Sequence, residues 1–260
     1  MFPVKSSVAT RGSAKVTSVL IALNVLVFLF ETSLPSRALD AFVSTYGMVP
    51  ARETALLLQD PLALSGWLAP IATSMFLHGG WAHLVGNMLF LWVFGRALET
   101  RLGWRRFFFL YALSGVLASQ AQVLASPWST APMIGASGAV AGVLGAHLLL
   151  LPRSRVTVLF PILIFPLFFE VPALLFLGVW FLEQLYAGTL WSLSPLAAQA
   201  GGVAWWAHVG GFLAGGVIVI AMALKIARER FRHADFTRPR HRADDVPLPR
   251  YSGEIRHVRF

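Results

Sequence analysis

The chain has 260 residues, of which 57% are hydrophobic and only 13% are charged, and its mean hydropathy is +0.68. This composition excludes an ordinary soluble domain and indicates an integral membrane protein. The absence of cysteine excludes disulfides, thiol catalysis and thiolate metal sites.

The sequence predicts an all-α polytopic protein with six membrane-spanning helices. Apolar stretches that stand out over windows of about 19 residues are typical of such helices. Residues 1–15 are then an N-terminal segment, residues 16–224 a single membrane domain, and residues 225–260 a basic tail that we expect to be disordered. The predicted spans, called span one to span six, are Val16–Phe30, Trp81–Leu98, Phe107–Leu124, Ala136–Leu151, Val171–Ala187 and Val203–Leu224.

Two connecting regions need separate treatment. The stretch after Phe30 has no signal-peptidase site of the small-x-small kind, so we interpret span one as a retained anchor. The apolar run Val156–Phe169 is interrupted by Pro161 and Pro166, which favours a surface-lying or partly inserted connector over a regular helix.

Charge placement orients the helices, because lysine and arginine are retained on the cytoplasmic side of a membrane. Of the 21 such residues, all but Arg37 and Arg52 lie on one side of the predicted topology. Both termini are therefore predicted to be cytoplasmic, with the loop Glu31–Gly80 outside. The basic tail is expected to contact anionic lipids of the bilayer and not nucleic acid.

Four polar side chains are predicted to lie at the same depth. Spans two, four and six all run inward, and near their starts are His83 and Asn87, Ser137, and His208, respectively. Polar groups in hydrocarbon are costly unless they have partners or serve a cavity, so such residues are functional candidates. The sequence therefore predicts a polar site in the outer third of the membrane.

The residue types at this site are those of nucleophilic catalysis. A serine hydroxyl needs a base to accept its proton, and neutral histidine serves this purpose, so Ser137 is the predicted nucleophile and His208 the base. The Ser137 backbone N–H, Asn87 and His83 are predicted to stabilise the oxyanion. No cofactor is required, and no carboxylate accompanies the histidines to suggest a metal site.

Small residues repeat every four positions on spans four and six. Gly138 and Gly142 lie on the first of these helices, and Gly211 and Gly215 on the second. Such faces let two helices approach closely enough for a hydroxyl to reach an imidazole. Gly135 and Gly138 also bracket the predicted nucleophile.

Taken together, these segments resemble the rhomboid family of intramembrane serine proteases. Each motif alone is weak, but all occur in the order found in the family and cover most of the chain between residues 76 and 215. The matching segments are Phe76–Met88, Glu99 with Gly103 and Arg106, Gly135–Gly138, and Ala207–His208 followed by Gly211 and Gly215.

The resemblance implies a rhomboid-like bundle of six helices and a Ser137–His208 dyad without a third carboxylate. It implies oxyanion stabilisation by His83, Asn87 and the Ser137 backbone, with His78 nearby in a supporting role. The implied substrates are single-span membrane proteins cut within or beside their transmembrane helix. The compact six-span form favours a bacterial plasma membrane, with the membrane of an organelle as the alternative. The sequence makes no prediction of oligomeric state.

Other functions remain to be weighed. A non-catalytic rhomboid-like protein that binds transmembrane helices would typically lack the serine or the histidine, and a small transporter would typically show internal repeats.

Away from the site, His147 is predicted to serve packing, Glu99 to form a loop clasp with Arg101 and Arg106, and Glu183 to lie at the interface or at a substrate gate.

Overall fold

Helices occupy the positions of the six predicted spans. They are seen in a computed structural model that describes residues 2–10, 14–162, 165–194 and 202–237. In chain order the elements are β1 (Phe2–Ser6), α1 (Lys15–Ser33), α2 (Ser36–Tyr46), α3 (Pro50–Gln59), α4 (Leu64–Ser74), α5 (Trp81–Phe90), a π-helical turn (Leu91–Gly95), α6 (Arg96–Leu102), α7 (Trp104–Ala125), α8 (Ser137–Leu150), β2 (Arg155–Ile162), β3 (Phe165–Pro172), α9 (Ala173–Ser192) and α10 (Trp205–Thr237).

These helices give a polytopic helical membrane protein, as predicted. Spans one, three, five and six are α1, α7, α9 and α10, and each is long and apolar enough to cross a membrane. Span four is the shorter apolar helix α8. Span two is continuous from Trp81 to Leu102, because the residues that join α5, the π-helical turn and α6 all have helical dihedral angles. It ends at Gly103, whose φ of +78° favours glycine.

The loop between spans one and two is folded into three short helices. They are α2, α3 and α4, which lie between Ser36 and Ser74. Met48 pairs with Met133 through two backbone hydrogen bonds of 3.1 and 2.7 Å, and the Ala51 N–H donates to Ser129 O at 3.0 Å. The loop therefore holds the segment that leads into α8.

A three-stranded antiparallel sheet was not predicted. β2 and β3 form a hairpin whose register runs from Arg155 opposite Pro172 to Ile162 opposite Phe165. β1 adds to the other edge of β2. The connector between spans four and five is thus a hairpin, and the N-terminal segment is part of its sheet, so the all-α prediction omitted one element.

The last helix extends beyond the predicted end of span six. α10 continues to Thr237, so residues 225–237, which the sequence assigned to a disordered tail, are helical in the structure. Lysine and arginine have good helix propensity, and the next proline is Pro239. The rest of the predicted tail lies outside the described residues.

Candidate active site

The start of α8 presents Ser137 at the end of a tightly held segment. The N–H of Gly135 donates to Ser74 O at 2.8 Å, and its φ is +119°. A Cβ at this position would lie 2.6 Å from the ring of His83. A larger residue would therefore strain the backbone and displace His83, so glycine is required here.

Ser137 and His208 lie within hydrogen-bonding distance of each other. Ser137 Oγ is 2.8 Å from His208 Nε2. The two helices can approach this closely because they meet at glycines. A Cβ on Gly211 would overlap the carbonyl oxygen of Gly138, so the predicted close approach of spans four and six is present.

A third side chain, Gln184 of α9, extends this pair. Gln184 Oε1 lies 2.7 Å from His208 Nδ1, and the glutamine is only 5% exposed. An amide oxygen can only accept, so Nδ1 must carry the proton and Nε2 must accept the hydrogen bond from Ser137. This is the tautomer that a general base requires.

Sequence reasoning missed Gln184. It considered the adjacent Glu183, whose side chain is exposed, because a charged residue in a span is conspicuous. The sequence signal for Gln184 resembles that for Glu183, because an amide in an apolar helix also needs a hydrogen-bond partner. Which of two neighbouring residues faces inward depends on the rotation of α9, which the weak amphipathicity of this helix does not reveal.

Asn87 and His83 lie on α5 beside the pair. Asn87 Nδ2 donates to His78 Nε2 at 3.0 Å, and His78 Nδ1 in turn donates to Phe76 O at 3.3 Å. The backbone N–H of His78 donates to the buried carboxylate of Glu31 at 3.1 Å. His78 therefore orients the Asn87 amide, whose second hydrogen has no partner among the described residues.

One cavity of about 690 Å³ brings the predicted residues together. Its polar lining comes from α5, α8, α9 and α10, and its apolar lining includes Phe90, Leu144 and Trp180. A peptide carbonyl held there would meet a hydroxyl, a base and hydrogen-bond donors within an otherwise apolar wall. The polar lining consists of His83, Asn87, Ser137, Gln184 and His208.

Two other sequence predictions concern residues outside this cavity. His147 is fully buried, with Nε2 3.0 Å from Ser154 Oγ and its ring edge-on to Phe94, in agreement with a packing role. The predicted clasp between Glu99 and nearby arginines is wrong. The Glu99 carboxylate instead accepts hydrogen bonds from the Thr17 N–H at 2.8 Å and the Thr17 hydroxyl at 2.7 Å, so it caps the start of α1.

The helices and the cavity define a polytopic membrane protein in which a serine and a histidine lie within hydrogen-bonding distance. The family model described as the rhomboid domain matches residues 66–225, which is more than half of the chain. The protein therefore belongs to the rhomboid family.

Curated relatives carry the same family name. Rhomboid protein 1, mitochondrial, of Saccharomyces cerevisiae is 35% identical over 56% of this chain and 39% of its own length. Rhomboid protease GluP of Bacillus subtilis is 35% identical over 58% of this chain and 27% of its own. Putative rhomboid protease YdcA of Bacillus subtilis is 32% identical over 51% of this chain and 61% of its own length. The chain thus spans less than two thirds of the length of each of these relatives.

Proposed function

We propose that the protein is a serine endopeptidase that cleaves single-span membrane proteins within or beside their transmembrane helix. The observation that carries the proposal is the 2.8 Å contact between Ser137 Oγ and His208 Nε2 inside a cavity of a membrane domain. The family, with relatives named as proteases, supports this reading.

The proposed reaction begins when Ser137 Oγ attacks the scissile carbonyl and His208 Nε2 takes the hydroxyl proton. The resulting oxyanion is stabilised by the Ser137 backbone N–H and by the free amide hydrogen of Asn87, with His83 as a further donor. The imidazolium then protonates the leaving amine, which leaves an acyl-enzyme. Water, activated by the same base, hydrolyses this ester and restores the serine.

The rival proposal is a protein that binds transmembrane helices without cutting them. It explains an apolar cavity equally well, but it gives no reason for a hydroxyl, an imidazole and an amide joined in series by hydrogen bonds of 2.8 and 2.7 Å. Polar and ionisable side chains are rare inside a membrane domain and usually serve a function there. This arrangement favours the protease.

We further propose that both termini are cytoplasmic and that the membrane is the plasma membrane of a bacterium. The distribution of arginine and lysine supports the orientation. The yeast relative is named as mitochondrial, so the membrane itself has to be established by localisation of the native protein. Reporter fusions at each terminus, active only on one side of the membrane, test the orientation.

Cleavage of a model single-span substrate in liposomes tests the function directly. Wild type is compared with Ser137→Ala and His208→Ala at equal folded amounts, with Tyr186→Phe as a control on an exposed side chain of α9. We expect cleavage by wild type and by the control, and none by the other two. Cleavage by Ser137→Ala would refute the proposed chemistry, whereas substrate binding without cleavage by wild type would favour the rival.

A further inference from the structure

Gln184 contacts the imidazole of His208 on the side away from Ser137. Its Oε1 is 2.7 Å from His208 Nδ1, which is as close as the serine hydroxyl is to Nε2 at 2.8 Å. The two ring nitrogens are thus both engaged, one by a group that only accepts and one by a group that can donate. The three side chains form an ordered series across α8, α10 and α9.

We propose that Gln184 is a positioning residue for His208, so that the site works as a Ser–His–Gln triad and not as a dyad. This inference rests on the proposed protease function. The amide oxygen accepts the Nδ1 proton, selects the tautomer with a free lone pair on Nε2, and fixes the plane of the ring. Catalytic triads assign these same tasks to a carboxylate.

An amide suits this location better than a carboxylate does. Gln184 is 5% exposed on a helix that is apolar enough to cross a membrane. An ionised carboxylate there would bear a large desolvation cost, whereas a neutral amide pays only for its dipole. The amide gives up part of the electrostatic stabilisation of the imidazolium but retains the geometric role.

The position of Gln184 depends on the packing of α9 against α10. Phe181 stacks on Phe212 of α10 at 4.6 Å between ring centroids. Trp180, one turn before Gln184, lies 6.0 Å from Phe212 and 6.1 Å from the ring of His208. The acceptor is therefore present at Nδ1 only while α9 is packed in this way, which links the state of the base to the position of this helix.

Three variants separate positioning from simple packing. Gln184→Leu keeps the approximate volume but removes the acceptor, Gln184→Glu keeps an acceptor and adds charge, and Tyr186→Phe is the matched control on an exposed side chain of the same helix. For Gln184→Leu we expect kcat to fall between about 10-fold and 10⁴-fold with KM little changed, the upper figure being typical of a triad whose histidine adopts the wrong tautomer. Rates of Ser137 labelling by a fluorophosphonate should fall in parallel.

The pH–rate profile tests whether the side chain at position 184 contacts the imidazole of His208. Gln184→Glu should remain active at alkaline pH, but its acid limb should move to higher pH, because a carboxylate at Nδ1 stabilises the imidazolium. An acid limb identical to that of wild type would overturn the proposal. This variant also keeps the test decisive if Gln184→Leu proves unstable in thermal unfolding.

A spectroscopic measurement keeps this inference distinguishable from the proposed function. ¹⁵N-histidine NMR, with the His208 signal identified from its loss in His208→Asn, reports which ring nitrogen carries the proton whether or not any substrate is cut. We expect a protonated Nδ1 in wild type and a mixture of tautomers in Gln184→Leu. If the wild type neither cuts substrate nor is labelled by the fluorophosphonate, the protease proposal fails. Unchanged tautomers in Gln184→Leu would instead overturn the positioning role of Gln184.

Discussion

The orientation of the Asn87 amide beside the cavity is fixed by His78 and Phe76. His78 accepts one of its hydrogens, and because Phe76 O takes the Nδ1 proton of that histidine, Nε2 must be the accepting nitrogen. The other amide hydrogen is left for a ligand in the cavity. A donor held in advance of the reaction stabilises an oxyanion without any cost of reorientation.

Replacement of Asn87 by alanine should therefore lower kcat by roughly 100-fold while KM stays nearly constant, since an oxyanion donor acts mainly in the transition state. Steady-state kinetics on the model substrate measure both parameters. Asn24→Ala, a change at a buried asparagine on α1 outside the cavity, is the matched control. A large rise in KM at constant kcat would assign Asn87 to substrate binding instead.

At the scale of elements, α8 and α10 approach so closely that backbone meets backbone. A Cβ on Gly215 would overlap the carbonyl oxygen of Gly142, and one on Gly145 would overlap that of Phe212. Neighbours made of backbone atoms cannot rotate away as a side chain can. The glycines thus set the separation of the two helices that present Ser137 and His208.

Gly215→Ala should destabilise the folded protein by about 1–3 kcal/mol, the usual cost of overpacking, and should reduce activity as the helices part. Thermal unfolding in detergent and substrate cleavage are the measurements. Gly178→Ala on α9 is the matched control, because a Cβ there meets nothing within 4 Å. It should be neutral or slightly stabilising, as alanine is the better helix former. Equal behaviour of the two variants would contradict the role assigned to Gly215.

The hairpin formed by β2 and β3 is charged only near its base. Arg155 and Glu170 pair at 3.3 Å, and no charged residue lies between them in the sequence. Phe165 and Phe168, which precede Glu170 on β3, are 66% and 60% exposed. Exposed phenyl rings beyond a charged base match the predicted connector that lies on the membrane or partly enters it.

We expect a label at position 168 to contact lipid and a label at position 170 to contact water. The chain has no cysteine, so Phe168→Cys and Glu170→Cys each create a unique attachment site for a spin label. Accessibility to oxygen and to a water-soluble nickel complex in liposomes then reports the depth of each label. Equal accessibility at the two positions would refute membrane contact by the hairpin.

At the scale of the whole molecule, the loop between spans one and two contains a buried ionisable side chain. Glu53 of α3 is 1% exposed, and within the described residues neither carboxylate oxygen has a hydrogen-bond partner. Burial raises the pKa of Glu53 to about 7, although the neighbouring Arg52 acts in the opposite direction. The folded protein therefore binds a proton here at pH values where the unfolded chain does not.

Stability should fall as pH rises. The unfolded carboxyl ionises near pH 4.5 and the folded one near 7, so the stabilising contribution of the protonated form is complete below about pH 4.5 and is lost as pH rises to about 7. Glu53→Gln should stabilise the protein at pH 8, by on the order of 1–3 kcal/mol, and have little effect at pH 4.5. Unfolding at both pH values, with Asp40→Asn on the exposed face of the same loop as control, tests this. A pH-independent effect of Glu53→Gln would contradict it.

The sequence by itself determined the class of protein, the positions of its apolar helices and four of the five polar residues that line the cavity. Hydropathy is a local property summed over about 20 residues, and small or polar residues in an apolar span stand out without any knowledge of their neighbours. The rhomboid motifs identified Ser137, His208, His83 and Asn87 for the same reason.

Only the tertiary structure decided that Gln184 faces His208, that Glu99 caps α1, that Met48 braces the segment before α8, and that β1 joins a distant hairpin. Each of these contacts joins residues of different elements, and each depends on the rotation of a helix or the register of a strand. A uniformly apolar helix such as α9 can be rotated about its axis without changing its hydropathy, so only the packing of its neighbours selects the side chain that reaches the imidazole.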